Sequence, residues 1–329
     1  MLLVGDIGGT KTVLALYSPE QGPHESVAQK SFPSGKFDSL ETIIREFLKE
    51  YPQPVDDACL GVAGPVVEGR AEITNLPWVV DAANLTSEFN LGKVKLLNDL
   101  EAIGHAVPIL KPENLHTLSE GDPIPGGSIA VVAPGTGLGE GFLTFSCDTY
   151  QVNPSEGGHA SFGPTNQLQV ELLQYLRAEK GYDHVSYERV CSGGLGIPNL
   201  YEFFTKTGRY TPPDWLTEAL AKAGDHTPVI IQSALDETRP CEVCTAVLDT
   251  FVSILAAEAG NLALKVFATG GIYLGGGIPP RIIPHLSKPH FLATLRNKGR
   301  FEDVLSEIPV HVITHPNAGL LGAASFGLQ

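Results

Sequence analysis

The sequence predicts an α/β chain built from two related halves. Three observations carry that prediction. Short apolar runs of strand length alternate with stretches of helical spacing, as in packed sheet-and-helix layers. A strand, a glycine turn and a returning strand occur at residues 2–17 and again at 128–145, with similar design and little identity. The chain has 329 residues, 43% hydrophobic and 18% charged, enough to bury two cores rather than one.

The first half opens on Leu2-Leu3-Val4-Gly5-Asp6-Ile7, a strand that runs into Gly8-Gly9-Thr10 and returns through Thr12 to Tyr17. This reads as a hairpin with a glycine turn. A polar loop, 18–24, leads to a third strand near Val27. Leu40, Ile43, Ile44, Phe47 and Leu48 have helical spacing, and Pro52 ends that helix. Residues 58–64 form a buried strand entering a Gly64-Pro65 turn. Thr74-Asn75-Leu76-Pro77-Trp78 is a loop after a short strand. Lys93 to Leu97 is a strand with Asn98-Asp99 at its carboxyl end, where open α/β sheets place their ligands. Residues 108–127, rich in Pro, Gly and acidic groups, are expected to cross between the halves, with some structure of their own.

The second half repeats the opening. The strand 128–133 meets Pro134-Gly135-Thr136-Gly137-Leu138-Gly139, and 141–145 returns. Helices are expected over 166–179, from an N-cap at Ser186, and over the long apolar stretch 241–267. Ile272-Tyr273-Leu274 is a strand ending in a third glycine turn, 275–277. A helix opens at Pro279-Pro280, the last strand is 309–313, and 317–328 is a small-residue terminal helix.

Net charge is −15, which argues against nucleic acid or an anionic membrane as partner. The most apolar stretch, 251–257, lies between Asp249 and Glu258, so no bilayer span is expected. No signal peptide is read, because strand pattern begins at Leu2. Five cysteines in so long a chain do not suggest a disulfide framework, and a reduced, cytoplasmic protein is the expectation.

The chemistry concentrates at the strand ends. Glycine turns let a ligand approach the main chain, and their N–H groups can cradle an anion. Each turn alone is equally a structural hairpin; three at strand ends favour a nucleotide's phosphates on the first two and its adenosine on the third. There is no G-x-x-x-x-G-K-[ST] loop. A dinucleotide fingerprint is excluded too, because a strand rather than a helix follows the first turn. Asp6, where the first strand stops, is placed to hold hydrated Mg²⁺ beside a phosphate. Asn98-Asp99 offers an amide and a proton-accepting carboxylate, or else an ordinary helix cap. Glu156, His159 and Glu188 can bind several hydroxyls, with Asn75 as an addition; their spacing is a poor metal signal. Cys241 and Cys244 form a lone C-x-x-C, for which structural thiols outweigh redox chemistry.

In that order, the segments 4–10, 97–99, 135–139, 156–159, 186–190 and 275–277 closely resemble bacterial glucokinases, of the sugar kinase, Hsp70 and actin superfamily. Gly260-Asn261-Leu262-Ala263-Leu264 and Lys298-Gly299-Arg300-Phe301 belong to the same resemblance, which runs from Leu2 to the terminal helix. It implies two α/β domains of the actin-like ATPase (ribonuclease H-like) type flanking a deep cleft, here 1–110 plus 317–329, and 111–316. It implies phosphoryl transfer from Mg-ATP to the 6-hydroxyl of glucose. Carried over by position, Asp99 is the base; Asn75, Asn98, Asp99, Glu156, His159 and Glu188 bind the sugar. Gly5, Asp6, Ile7, Gly8, Gly9, Thr10, Gly135, Thr136 and Gly137 hold the phosphates, and Gly276 and Gly277 lie near the adenosine. Asp6 holds Mg²⁺ through water.

Where the related repressor, open reading frame and kinase family has a cysteine-rich zinc motif, this chain has Ala160-Ser161-Phe162-Gly163-Pro164, so no zinc is expected. No helix-turn-helix precedes the first strand, which argues against a sugar-responsive repressor. A homodimer is compatible with the resemblance. Two alternatives stand beside glucokinase: a kinase for another hexose or an amino sugar, and a catalytically silent sensor of the same fold. Asn98-Asp99 separates them, since a sensor has no need of the base.

Overall fold

The computed structural model describes every residue except Thr74. The chain forms two compact units, Met1–Lys111 with His315–Gln329, and Pro112–Thr314. The strands and helices of the first stretch are β1 (Leu2–Ile7), β2 (Lys11–Tyr17), β3 (Ala28–Pro33), α1 (Leu40–Glu50), β4 (Asp57–Val62), β5 (Val66–Val67), β6 (Arg70–Glu72), β7 (Val79–Asp81), α2 (Ala82–Phe89), β8 (Lys93–Asn98) and α3 (Asp99–Ala106). The second unit begins with β9 (Leu115–Ser119), β10 (Ile129–Pro134), β11 (Leu138–Ser146) and β12 (Thr149–Ser155). It continues through α4 (Gln167–Glu179), α5 (Gly196–Lys206), α6 (Asp214–Lys222), α7 (His226–Leu235) and α8 (Glu242–Val266). It ends with β13 (Gly271–Leu274), α9 (Ile283–Leu286), α10 (Pro289–Arg296), α11 (Glu302–Ser306) and β14 (Val310–Ile313). The chain closes with α12 (Ala318–Gly327), which returns to the first unit.

The repeat seen in the sequence is a repeat of topology. The first unit's main sheet has the order β3-β2-β1-β4-β8, and the second's has β12-β11-β10-β13-β14, extended by β9. In both, three strands form an antiparallel meander and the next two are parallel to its first strand. The first two glycine turns therefore each join the first strand of a meander to the second, while the third follows β13, a parallel strand.

Side-chain alternation along β1 divides the first unit's core. Leu3 and Ile7 pack with Leu14, Leu60, Ile43 and Phe47 on the α1 side. Leu2 and Val4 pack with Ala102, Leu320, Ala323 and Ala324 on the side of α3 and α12. With a period of two, Asp6 continues the second row and Gly5 the first. The small residues of α12 serve close packing: a Cβ on Gly322 would run into the Ala102 carbonyl.

The helix α1 starts at Ser39, whose hydroxyl accepts from Thr42 N, and its buried face is Leu40, Ile43, Ile44 and Phe47. In the second unit, α8 carries buried residues on all sides between Val243 and Ala263. That helix passes the length and apolarity test for a membrane span, contrary to the expectation above, which cut the run at Asp249 and Glu258. Its most apolar window is 78% buried within the protein, so its apolarity is that of a central core helix.

The structure expected within 108–127 is β9, which pairs antiparallel with β14 at the sheet edge. One further expectation changes. The Ser186 side chain makes no capping hydrogen bond, and the turn it precedes, Tyr187–Arg189, is 3₁₀ rather than α. Gly8, Gly135 and Gly137 do not use left-handed φ; among the named turn glycines Gly276 does, at +79°.

Candidate active site

In the first unit the parallel strands bring their carboxyl ends level: Ile7 is opposite Val62, and Val62 opposite Asn98. Asp6 and Asp99 thus start from strand ends roughly 10 Å apart, two strand spacings. Asp99 opens α3, on the same face as Asp6, and Gly319 of α12 sits where a Cβ would be 3.6 Å from the Asp6 carboxyl carbon. Burial and the neighbouring Asp99 charge push Asp6 up to about 6, with Lys11 opposing.

Asn98 is the N-cap of α3, its Oδ1 accepting from Glu101 N at 2.8 Å. Asp99 is the residue after the cap, and its Oδ1 accepts from Leu100 N at 2.9 Å. The cap reading therefore holds for Asn98, while Asp99 is exposed on the first turn of α3.

The first glycine turn is closed by Gly8 N donating to Lys11 O at 3.0 Å. It is braced by Ser34, whose hydroxyl donates to Gly8 O at 2.7 Å and lies 3.0 Å from the Thr12 hydroxyl. Gly9 and Thr10 form the accessible tip. Gly5 and Ile7 belong to the strand instead: a Cβ on Gly5 would lie 2.8 Å from both Ile7 Cδ1 and Leu60 Cδ2, so its glycine is explained by core packing. Asn75 is exposed in the β6–β7 loop at φ 65°, a conformation Asn tolerates better than most residues; its neighbour Thr74 lies outside the described residues.

The second unit joins the other two turns. Gly135 N donates to Gly137 O at 2.9 Å, a closure one residue shorter than that of the first turn. Gly276 packs on the strand that leads there, a Cβ at that position lying 2.6 Å from Pro134 O, and Ile278 N donates to the same carbonyl at 3.2 Å. Gly277 faces open space. A segment the sequence reading missed, Ser192-Gly193-Gly194, clamps the second turn: Gly193 N donates to Gly135 O and Gly194 N to Thr136 O, both at 2.8 Å. Thr227 Oγ1 holds that segment through Gly193 O at 2.5 Å. Its only sequence signal is the small-residue run itself.

Glu156, His159 and Glu188 come together. His159 Nδ1 lies 3.4 Å from Glu188 Oε2, and Nε2 lies 3.8 Å from Glu156 Oε2. The loop that carries Glu156 and His159 lies flat on the start of β11. A Cβ on Gly158 would strike the Leu138 carbonyl, and one on Gly157 the Glu140 carboxylate. The cluster abuts the second turn, since a Cβ on Gly137 would be 3.0 Å from Glu188 Oε1. Polar side chains suited to several hydroxyls therefore adjoin a glycine turn suited to an anion.

Among the described residues no group of three or more His, Cys, Asp or Glu is arranged to hold a metal directly. Asp6 fits a hydrated hard cation instead: a hard oxygen donor beside a second carboxylate, whose mutual repulsion a cation relieves. Cys241 and Cys244 are buried, and burial with the neighbouring Cys241 pushes Cys244 well up, away from thiolate chemistry.

The family model for glucokinase matches residues 3–329. The chain is 40% identical to a glucokinase of Nostoc punctiforme, covering 98% of both chains, and 36% identical to one of Shigella dysenteriae, covering 98% of this chain and 95% of that one. Among solved structures it is similar to a glucokinase from an Antarctic psychrotroph, with TM-score 0.81, 35% identity and 99% and 98% coverage. The fold is shared with Balamuthia mandrillaris glucokinase in complex with glucose, with TM-score 0.82, 22% identity and 99% and 93% coverage. With the actin-like ATPase topology present in each unit and these matches end to end, the chain belongs to the glucokinase family.

Proposed function

We propose that the protein is an ATP-dependent glucokinase that transfers the γ-phosphoryl of ATP to the 6-hydroxyl of D-glucose, giving glucose 6-phosphate and ADP. The observation that carries this reading is the contact of the Glu156–His159–Glu188 cluster with the Gly135–Gly137 turn, a hydroxyl-binding set beside an anion-binding one. A Streptomyces griseus relative of the same fold, 17% identical, is described in complex with glucose and AMPPNP, which supports ATP as donor by analogy of fold.

In this reading Asn75, Asn98, Glu156, His159 and Glu188 hold the sugar hydroxyls, fixing which hydroxyl reacts. Asp99 takes the proton of the 6-hydroxyl as its oxygen attacks phosphorus. With the Gly8 and Gly135 N–H groups used inside their turns, Gly9, Thr10, Thr136 and Gly137 are left to face phosphate oxygens. Gly276 and Gly277 offer backbone without side chains to the adenosine. Asp6 would hold a hydrated Mg²⁺, which when bound would supply positive charge beside the transferring phosphoryl. No zinc takes part. The reaction belongs to the cytoplasm, where ATP is supplied, and needs neither nucleic acid nor membrane.

ADP release measured over glucose, mannose, fructose and amino sugars tests the proposal. Glucose giving the highest kcat/KM supports it. Higher kcat/KM on another sugar assigns the site to that sugar, and sugar binding without ADP release makes the protein a sensor.

A further inference from the structure

Two segments of the sequence, 260–264 and 298–301, have no part in the chemistry so far, yet they meet inside the second unit. Lys298 Nζ donates to Ala257 O at 2.9 Å and to Asn261 Oδ1 at 2.6 Å. The close approach needs Gly260, where a Cβ would lie 2.8 Å from Lys298 Cε. An ammonium only donates, so it fixes the Asn261 amide with its oxygen toward Lys298 and its NH₂ away. That NH₂ donates to Glu258 Oε2 at 2.9 Å and to the Tyr187 hydroxyl at 3.1 Å. Glu258 is fully buried and also accepts from Lys265 at 3.3 Å, so it is satisfied within the network.

Tyr187 is the residue before Glu188. Its ring is buried edge-on against Phe162, and its N–H donates to Ala160 O at 3.0 Å, the residue after His159. Ser161 and Ser186 bridge the same two segments. Tyr187 therefore touches both arms of the hydroxyl-binding cluster through its backbone and reaches the core network through its hydroxyl. The turn is also held from its far side, by Cys191 N on Tyr187 O at 2.7 Å and Ser192 Oγ on Glu188 O at 2.7 Å.

We propose that Tyr187, held by Asn261 in the orientation Lys298 imposes, is a positioning residue that sets Glu188 and the His159 loop for sugar binding. The proposal rests on the glucokinase reading for its substrate, but its geometric claim does not. Tyr187→Phe keeps the ring and removes the hydroxyl; Asn261→Leu removes the partner. Each should raise the KM for glucose about fivefold to tenfold, the scale of one buried hydrogen bond, with kcat and the KM for ATP changed less than twofold. Because the two changes share the Tyr187–Asn261 contact, their effects on the glucose KM should be less than additive in the double variant. Hydrogen exchange, which needs no substrate, should quicken at 156–161 and 186–190 in Tyr187→Phe. Unaltered exchange at both segments would overturn the proposal. So would an unchanged glucose KM in Tyr187→Phe alongside normal glucose turnover by the parent protein. Absence of glucose turnover in the parent would instead count against the glucokinase reading, leaving exchange to decide the positioning claim.

Discussion

Asp99→Asn separates chemistry from architecture at the residue on which the proposed mechanism depends. The change keeps shape and keeps an acceptor for Leu100 N, the 2.9 Å contact Asp99 makes now. The cap of α3 belongs to Asn98 and is untouched. Two electrostatic consequences oppose each other. A negative charge is lost from the first turn of a helix, where it contributes about 0.3–1 kcal/mol. Repulsion of Asp6 is also relieved, and with Asp99 neutral the Asp6 carboxyl should move back toward its ordinary range, held up by burial alone. Stability should therefore stay within about 1 kcal/mol of the parent. The rate should not: without a general base kcat should fall by about 10²-fold or more. Glucose binding should weaken far less, because Asn98, Glu156, His159 and Glu188 remain. A coupled assay for kcat, calorimetry for glucose and a melting curve on one sample give all three quantities. A folded, glucose-binding Asp99→Asn protein with near-parental kcat would refute the base assignment.

Other expectations are as direct. Glu140 is buried beneath Gly157, faces Glu258, Lys265 and Cys191, and is pushed up to about 8, chiefly by burial and next by the Glu258 charge. The folded protein keeps that proton while the unfolded chain releases it near 4.5, so stability falls as pH rises between 4.5 and about 8. Glu140→Gln should flatten that slope, gaining on the parent by up to roughly 3–5 kcal/mol across the window; parallel melting-pH curves for the two proteins would contradict it. Gly276→Ala, forced to φ +79° against Pro134 O, should lower Tm by several degrees, and an unchanged Tm would show the turn can relax. Activity should require Mg²⁺ and survive zinc chelation; stoichiometric zinc whose removal inactivates the enzyme would contradict this.

What the sequence disclosed was local. The glycine turns, the Asn98-Asp99 strand end and the apolar period of α1 are each written within a dozen residues. The strands β9 and β12 were hidden because they are sheet edges. Leu-His-Thr-Leu-Ser and the Pro154-containing Thr149–Ser155 are half solvated and lack a strong apolar pattern. The clamp by Ser192–Gly194 and the brace by Ser34 are backbone contacts between segments far apart, for which side-chain pattern carries no signal. Gly5 shows the converse error. A glycine beside a candidate turn invites a ligand, yet here the Leu14 and Leu60 side chains fill its space. The length of the apolar run at α8 was underestimated for a related reason, since a charge at Glu258 interrupts a hydropathy run but is satisfied inside the core by Asn261 and Lys265.

The central claim is that this chain moves the γ-phosphoryl of ATP to a single hydroxyl of glucose. Phosphorus NMR of the reaction mixture tests it most directly, following ATP, ADP and the sugar phosphate together. The account predicts one glucose 6-phosphate formed for each ADP, and ADP formation that stops when glucose is withheld. ADP released with inorganic phosphate at the same rate without sugar, or phosphate on another hydroxyl, would contradict it.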